Sequence, residues 1–177
     1  LLPFNEPLSA VLEADIFVPG CPPPVESVDK LANLLFEFLE SGEKPKKVFV
    51  ADSMSLCEEC PRKPESLEAI VIPEIKRVSH DEIDPEKCFL EQGILCLGPV
   101  TRAGCGHLCI KANVPCTGCF GPVPAVDDAG IKFLSVVASA LFAGQEREIG
   151  EEKLKEEIEK IVDPLGTFYR FTFASSK

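Results

Sequence analysis

The stretch GPVTRAGCGHLCIKANVPCTGCFGP, residues 98–122, decides the fold of the middle of this chain. Its cysteines follow the spacing C-x3-C-x6-C-x2-C, at Cys105, Cys109, Cys116 and Cys119. The glycines between them allow a backbone to wrap closely around a compact object. Four thiolates on one centre are the ligand set of either a structural zinc site or a cubane iron-sulfur cluster. The spacing of this stretch alone does not choose between the two.

A second possible set of four cysteines lies upstream, in LCEECPRKP and KCFLEQGILCLGPVT. It comprises Cys57, Cys60, Cys88 and Cys96. Zinc ribbons usually join two C-x2-C pairs by a short hairpin. Here only Cys57/Cys60 and Cys116/Cys119 are spaced as C-x2-C pairs, and they belong to different sets. The spacing therefore favours iron-sulfur over zinc. The charged residues beside Cys57 and Cys60 suit a site near the surface, where electrons enter or leave.

The composition restricts the possible partners and the use of the cysteines. The 177 residues carry a formal charge of -11, which repels a phosphate backbone and makes nucleic acid an unfavourable partner. The longest nearly apolar stretch, residues 133–144, is well short of the roughly 20 residues that span a bilayer. The nine cysteines cannot all pair as disulfides. Eight fall within residues 57–119, and Cys21 stands apart in VPGCPPP.

Hydrophobic patterning divides the chain into three regions, 1–52, 53–126 and 127–177. The first predicts a strand at 14–18, a turn carrying Cys21, a helix ended by Gly42 and a further strand at 46–52, as in an open α/β sheet. The second is rich in Cys, Pro and Gly, with one strand-like run at 70–75. Because so much loop is costly to order by apolar burial alone, we expect a covalent or metal staple there.

The third region returns to helical patterning. Asp127 and Asp128 are plausible caps for a helix that Gly144 ends. A charged helix is expected at 151–163, with Leu154, Ile158 and Ile161 on one side. The alternating FYRFTFA that follows is typical of an edge strand or an extended docking tail.

The cysteine motifs, with PGCPPP upstream of them, resemble the small, electron-transferring subunit of [NiFe] hydrogenases. The resemblance is to the cytosolic F420-non-reducing (methyl viologen-reducing) and sulfhydrogenase delta type of archaea, including methanogens. It extends from about Leu8 to the GTFYRFTF tail, nearly the whole chain. It implies a flavodoxin-like domain, whose C-terminal part would be residues 1–52, and a loop-rich iron-sulfur cluster domain with a few helices at 53–126. Residues 127–177 would be a helical C-terminal segment and tail.

The resemblance also assigns each cysteine to a [4Fe-4S] cluster. The distal ligands would be Cys57, Cys60, Cys88 and Cys96. The medial ligands would be Cys105, Cys109, Cys116 and Cys119. Because Cys109 supplies a fourth thiolate, the medial cluster is expected to be [4Fe-4S] rather than [3Fe-4S]. Cys21 would be the last ligand of a proximal cluster, whose other three ligands are expected upstream of this sequence, so we expect Leu1 not to be the biological start.

The implied function is an electron relay in the cytoplasm. Electrons from H2 oxidation at the nickel-iron centre of a large subunit would pass through the clusters to an electron-accepting iron-sulfur or flavin subunit, such as one linked to heterodisulfide reductase. All-thiolate ligation lowers cluster potentials, which favours a low-potential acceptor. We assign no catalytic residue to this chain. The alternatives are an iron-sulfur module of another oxidoreductase, and a zinc-stapled interaction domain.

Overall fold

The first part of the chain forms a β–α–β unit in the computed structural model. A short helix α1 (Leu8–Val11) precedes strand β1 (Ile16–Phe17), helix α2 (Val25–Ser41) and strand β2 (Val48–Phe49). The structure describes residues 7–66, 69–79, 82–144 and 149–175. The expected strand, turn, helix and strand are thus all present, although both strands are shorter than their apolar runs. The assignment of this unit to a flavodoxin-like domain stays a prediction.

The two strands run parallel and are attached to the cysteine-rich region. Ile16 lies opposite Val48 and Phe17 opposite Phe49. The Phe17 and Phe49 rings stack with their centroids 4.5 Å apart. The guanidinium of Arg102, from the stretch that carries the second cysteine set, lies 4.7 Å from the centre of the Phe49 ring. The sheet therefore contacts the region where the cysteines cluster.

Helix α2 is an amphipathic helix whose apolar side is largely open. It ends where the sequence predicts, at Gly42, which has a φ of 72° and donates its N–H to the Phe38 carbonyl at 2.8 Å. Phe36 is 65% exposed and Leu39 75% exposed. Parallel sheets normally bury both faces under helices, but a pair of two-residue strands offers little surface to cover this one. In the described part of the chain, no helix is long and apolar enough to cross a membrane.

The middle region consists mainly of loops and single turns. It contains 3-10 turns at Leu56–Glu59, Leu90–Gln92 and Gly98–Val100, and the short helix α3 at Leu108–Lys111. The strand-like run at 70–75 does not become a strand. Its Ile72 makes only an isolated bridge to Leu141, which directly follows the helix Ala129–Ala140. Pro73 contributes to this result, because proline has no N–H to continue a ladder.

The buried core lies largely in this same loop-rich region. Its apolar members with at most 2% exposure are Leu56, Ile72, Phe89, Leu90, Ile94, Val100, Ala103, Ile110, Phe120 and Phe133. The thiols Cys96 and Cys116 belong to the same cluster of buried side chains. Apolar packing therefore contributes to the order of this region, beside any staple that the cysteines provide.

The C-terminal region packs two helices, α4 (Ala129–Ala140) and α6 (Pro164–Phe168), against each other. Asp128 caps α4 as predicted, because its Oδ1 accepts the Ile131 N–H at 2.8 Å. The prediction that α4 continues to Gly144 was wrong. The tail does not form a strand either: its first residue ends α6, and a 3-10 turn follows at Phe173–Ser175.

Helix α5 (Glu151–Glu159) is held to the loop region by a charged residue rather than by its apolar side. Glu157 is 6% exposed, whereas Ile158 is 53% exposed. One carboxylate oxygen of Glu157 accepts the Ile75 N–H at 2.7 Å, and the other accepts from Lys160 Nζ at 2.6 Å. The apolar residues alone therefore did not identify the buried face of this helix.

The contact between Gly130 of α4 and the Tyr169 ring predicts a large effect of a small substitution. A Cβ at Gly130 would overlap this ring. We expect Gly130→Ala to destabilise the protein by about 1–3 kcal/mol, the usual cost of overpacking. Thermal unfolding measures the change. Gly150→Ala is the control, because a Cβ there meets nothing within 4 Å and should alter the melting temperature little.

Candidate metal centres

Four cysteines from separate parts of the loop region line one cavity. They are Cys57, Cys60, Cys88 and Cys96, here called the first quartet. Apolar side chains make up much of the remaining wall, among them Leu56, Phe89 and Ile110. The structure thus brings together the four residues that their sequence positions, up to 39 apart, only suggested as a set.

Two polar side chains shape the turns that present the first quartet. Glu58 accepts the N–H of the residue three positions before it at 3.1 Å, which caps the turn carrying Cys57. The amide of Gln92 donates to the carbonyls of Lys87 and Cys88 at 2.9 and 3.4 Å. Sequence reasoning missed both roles, although Ser55 and Glu58 have the S-x-x-E spacing of a capping box, which could have indicated the first; Gln92 carries no such signal. Their hydrogen bonds fix backbone that has no ladder or helix to hold it.

Gly98 keeps space free beside two thiols of the first quartet. A Cβ at this position would lie 3.0 Å from Cys57 Sγ and 3.7 Å from Cys96 Sγ. The first distance is closer than side-chain carbons normally approach sulfur, so a larger residue would displace the thiol. The glycine therefore allows both sulfurs to face the cavity.

This close approach predicts that Gly98→Ala reduces metal binding by the first quartet. We expect the variant to retain roughly half or less of the metal bound there, because ligands must be held near their productive geometry. Metal analysis per folded chain gives the result. Gly150→Ala again serves as the control, and equal metal contents in the two variants would contradict the prediction.

The second quartet consists of Cys105, Cys109, Cys116 and Cys119. Its members interact electrostatically: after burial, the neighbouring charges of Cys109 and Cys105 are among the causes that raise the pKa of Cys119. Burial likewise raises the pKa of Cys105, with a contribution from Cys109. The structure therefore places these thiols near one another, with Cys109 exposed on α3.

The two quartets adjoin each other, and Cys21 lies beside the second. The backbone N–H of Cys116 donates to Cys96 Sγ at 3.3 Å, which joins the second quartet to the first. The backbone N–H of Cys21 lies close enough to the Cys119 thiol to lower its pKa, against the net rise that burial causes. Contacts thus run from Cys21 through the second quartet to the first, and Cys21, far from its fellows in sequence, is not isolated in space.

His107 also connects the two quartets. It lies between Cys105 and Cys109, is 7% exposed, and adopts a left-handed backbone with a φ of 58°. Its Nε2 lies 3.2 Å from the carbonyl oxygen of Leu56, the residue before Cys57. The side chain is buried, and its contact with Leu56 fixes one cysteine loop against the other.

Buried thiols in each quartet resist ionisation in the metal-free protein. Burial, with the charge of neighbouring thiols, raises the pKa of Cys57 and raises that of Cys96 to about 12. Burial also raises the pKa of Cys116 to about 11. The thiolate form that binds metal is therefore disfavoured until a cation compensates its charge. Metal binding at these sites must release protons.

The donor types at the first quartet are those of a group with thiolate ligands. The quartet supplies only sulfur donors in a largely apolar wall, and Gly98 keeps a side chain from crowding two of its thiols. Within the described residues, no three His, Cys, Asp or Glu side chains are placed so that they could hold a metal ion. The first quartet therefore has the donor chemistry of a metal site without the preformed geometry of a single-ion site.

The chain is similar to components of archaeal hydrogenases. It is 35% identical over 173 residues to the G subunit of F420-non-reducing hydrogenase from Methanothermobacter marburgensis, covering 97% of this chain and 52% of the relative. It is 39% identical over 121 residues to the corresponding G subunit of Methanothermus fervidus, covering 67% of this chain and 91% of that relative. The relative in Archaeoglobus profundus, whose name calls it the iron-sulfur G subunit, is 36% identical over 138 residues, 77% of this chain and 42% of its own.

These relatives define a class, the subunits of hydrogenases, which are oxidoreductases. The chain belongs to the family of F420-non-reducing hydrogenase G subunits. No family model matches it. The chain spans about half the length of most of the curated relatives that it matches.

Proposed function

We propose that this chain is the electron-relay part of the small subunit of a cytoplasmic [NiFe] hydrogenase. It would receive electrons from H2 oxidation at the nickel-iron centre of a large subunit and pass them to a low-potential iron-sulfur or flavin subunit. The observation that carries the proposal is the cavity lined by all four thiols of the first quartet. The names of the relatives, one of them an iron-sulfur subunit, support it.

In this proposal each quartet holds one [4Fe-4S] cluster, the first quartet the distal and the second the medial cluster. Such clusters supply one-electron transfer when they are bound. The residues of the chain bind, position and shield them. Leu56, Phe89 and Ile110 restrict the access of water to the first quartet. The contact between Cys116 and Cys96 keeps the two sites adjacent, as transfer between them requires.

Cys21 would be one ligand of a third, proximal cluster. Its proximity to Cys119 supports this role, because both the backbone N–H and the thiol of Cys21 affect the pKa of a member of the second quartet. The contacts then run in the order proximal, medial and distal. Hydrogen chemistry remains with the large subunit.

Metal analysis of anaerobically prepared protein, isolated through a tag on this subunit from its native host, tests the proposal. We expect iron and acid-labile sulfide, about eight irons from the two quartets with any proximal iron in addition, and a co-purifying subunit that contains nickel. Iron with sulfide but no nickel-containing partner would instead indicate a module of another oxidoreductase. About two zinc ions without sulfide would defeat the proposal and indicate a zinc-stapled domain.

A further inference from the structure

Arg62 is a buried cation in the wall of the cavity that the first quartet lines. It is 6% exposed, and it contacts the same cavity as Cys57, Cys60, Cys88 and Cys96. Arginine is rarely buried unless its charge is paired. No sequence pattern indicates this position, because Arg62 lies in the charged run CPRK, where a solvated side chain is expected.

Neutral groups satisfy the hydrogen bonds of Arg62 but not its charge. Its Nη2 donates to the Ile110 carbonyl at 3.0 Å and to Asn113 Oδ1 at 2.8 Å. Its Nη1 donates to the backbone carbonyl of Asp84 at 3.4 Å. The guanidinium also lies 4.4 Å from the centre of the Phe89 ring. These contacts fix the cation at the cavity wall, with its positive charge facing neutral oxygens and a ring.

The first quartet is the negative partner that this cation lacks. Among the described residues, none of the salt bridges includes Arg62. A buried charge is costly unless an opposite charge compensates it. Four thiolates around bound iron and sulfide give a site with net negative charge, in contact with the same cavity. A loaded first quartet would therefore offset the part of the cost of burying Arg62 that its neutral contacts leave.

We propose that Arg62 is the built-in counter-charge of the first quartet and that it raises the reduction potential of the group bound there. This inference rests on the proposed function. A fixed cation stabilises the reduced form, which carries one more negative charge, more than the oxidised form. The step concerned is the gain of one electron from an external reductant, with no bond formed or broken. Arg62 is thus a positioning and tuning residue rather than a ligand.

The alternative is that Arg62 only ties loops together, and matched variants separate the two roles. Arg62→Met removes both the charge and the hydrogen bonds. Arg62→Lys keeps the charge but loses the fork of donors, and Asn113→Ala keeps the guanidinium but removes its shortest hydrogen bond. Lys63→Gln removes the neighbouring positive charge, which is exposed and outside the cavity. If Arg62 only ties loops together, the variants should change stability alone. If Arg62 is the counter-charge, the reduction potential should change in the variant that loses the positive charge at position 62 and not in the variants that keep it.

The experiment is a dithionite titration of the anaerobic complex, followed by electron paramagnetic resonance of each reduced cluster. We expect Arg62→Met to lower one potential, with the reduction equilibrium weakened about tenfold, which corresponds to about 59 mV for one electron. The other potentials should stay unchanged. Arg62→Lys, Asn113→Ala and Lys63→Gln should keep the wild-type values, even where the first two lower the melting temperature. Arg62→Gln, which keeps an N–H donor, replaces the methionine variant if that variant loses iron.

An iron-loaded neutral variant with wild-type potentials would overturn the inference and leave the proposed function intact. The inference would also be overturned if Arg62→Met lowered the potentials of all clusters equally, or if Arg62→Lys lowered the same potential as much as Arg62→Met does. Absence of iron from the wild-type protein is detected before any titration. It would defeat the proposed function, and this inference with it.

Discussion

Cys88→Ser should remove about four of the roughly eight irons bound by the two quartets and leave the rest in place. Cys88 lines the cavity of the first quartet, and it takes no part in the hydrogen bond between Cys116 and Cys96 that joins the quartets. A serine hydroxyl is a poor substitute for a thiolate toward iron, so the first quartet should lose its group. Iron and sulfide analysis of anaerobic protein measures the loss.

Cys21→Ser, made in the same 177-residue chain, is the matched control for this prediction. Cys21 is exposed, and serine keeps the backbone N–H that lies beside the Cys119 thiol. The iron content of the two quartets should therefore equal that of the wild type. An unchanged iron content in Cys88→Ser, or an equal loss in both variants, would show that the first quartet is not an independent site.

The helices were predictable from the sequence because their signals are local. The end of α2 at Gly42 and the cap of α4 at Asp128 each depend on residues within one turn of the helix terminus. The end of α4 was misplaced because Leu141 leaves the helix and pairs with Ile72, a contact between residues far apart in sequence. A strand-like or helical pattern cannot report which distant partner is available.

The grouping of the cysteines was also predictable, but their surroundings were not. Spacing separated the two quartets, and the structure brings each set together. Arg62 could not be predicted, because its contacts with Ile110 and Asn113 span 48 and 51 residues and leave no periodic pattern. The proximity of Gly98 to Cys57 depends equally on folding. A single sequence indicates donor types well, whereas the groups that tune and shape a site come from long-range packing.

The buried core means that metal binding is not the sole source of order in the loop region. The sequence suggested that metal would have to order the loop region, yet Leu56, Val100 and Phe120 are almost fully buried there. Apolar side chains and cysteines share one cluster, in which Cys96 and Cys116 act as core residues while they remain protonated. The metal-free region can thus retain apolar packing, and loading changes the charge at its centre.

This change of charge predicts opposite responses to alkaline pH in the metal-free and the loaded protein. In the folded metal-free protein the pKa of Cys96 is about 12 and that of Cys116 about 11, against an ordinary value of 9.0. Above about pH 9 the unfolded chain therefore holds fewer protons than the folded one, and stability falls as pH rises. Each such thiol contributes a slope of up to about 1.4 kcal/mol per pH unit until the folded pKa is reached.

In the loaded protein the slope of stability against pH has the opposite sign. The ligating thiols are already deprotonated when folded, whereas the unfolded chain still holds those protons below about pH 9, so stability should rise between about pH 7 and pH 9. Urea unfolding of both forms across this range and beyond it measures the two slopes. In the metal-free form, Cys96→Ala should reduce the alkaline loss, because it removes one of the most strongly shifted thiols. Parallel pH profiles for the two forms would contradict the argument, since they would mean that metal binding leaves the protonation of both quartets unchanged.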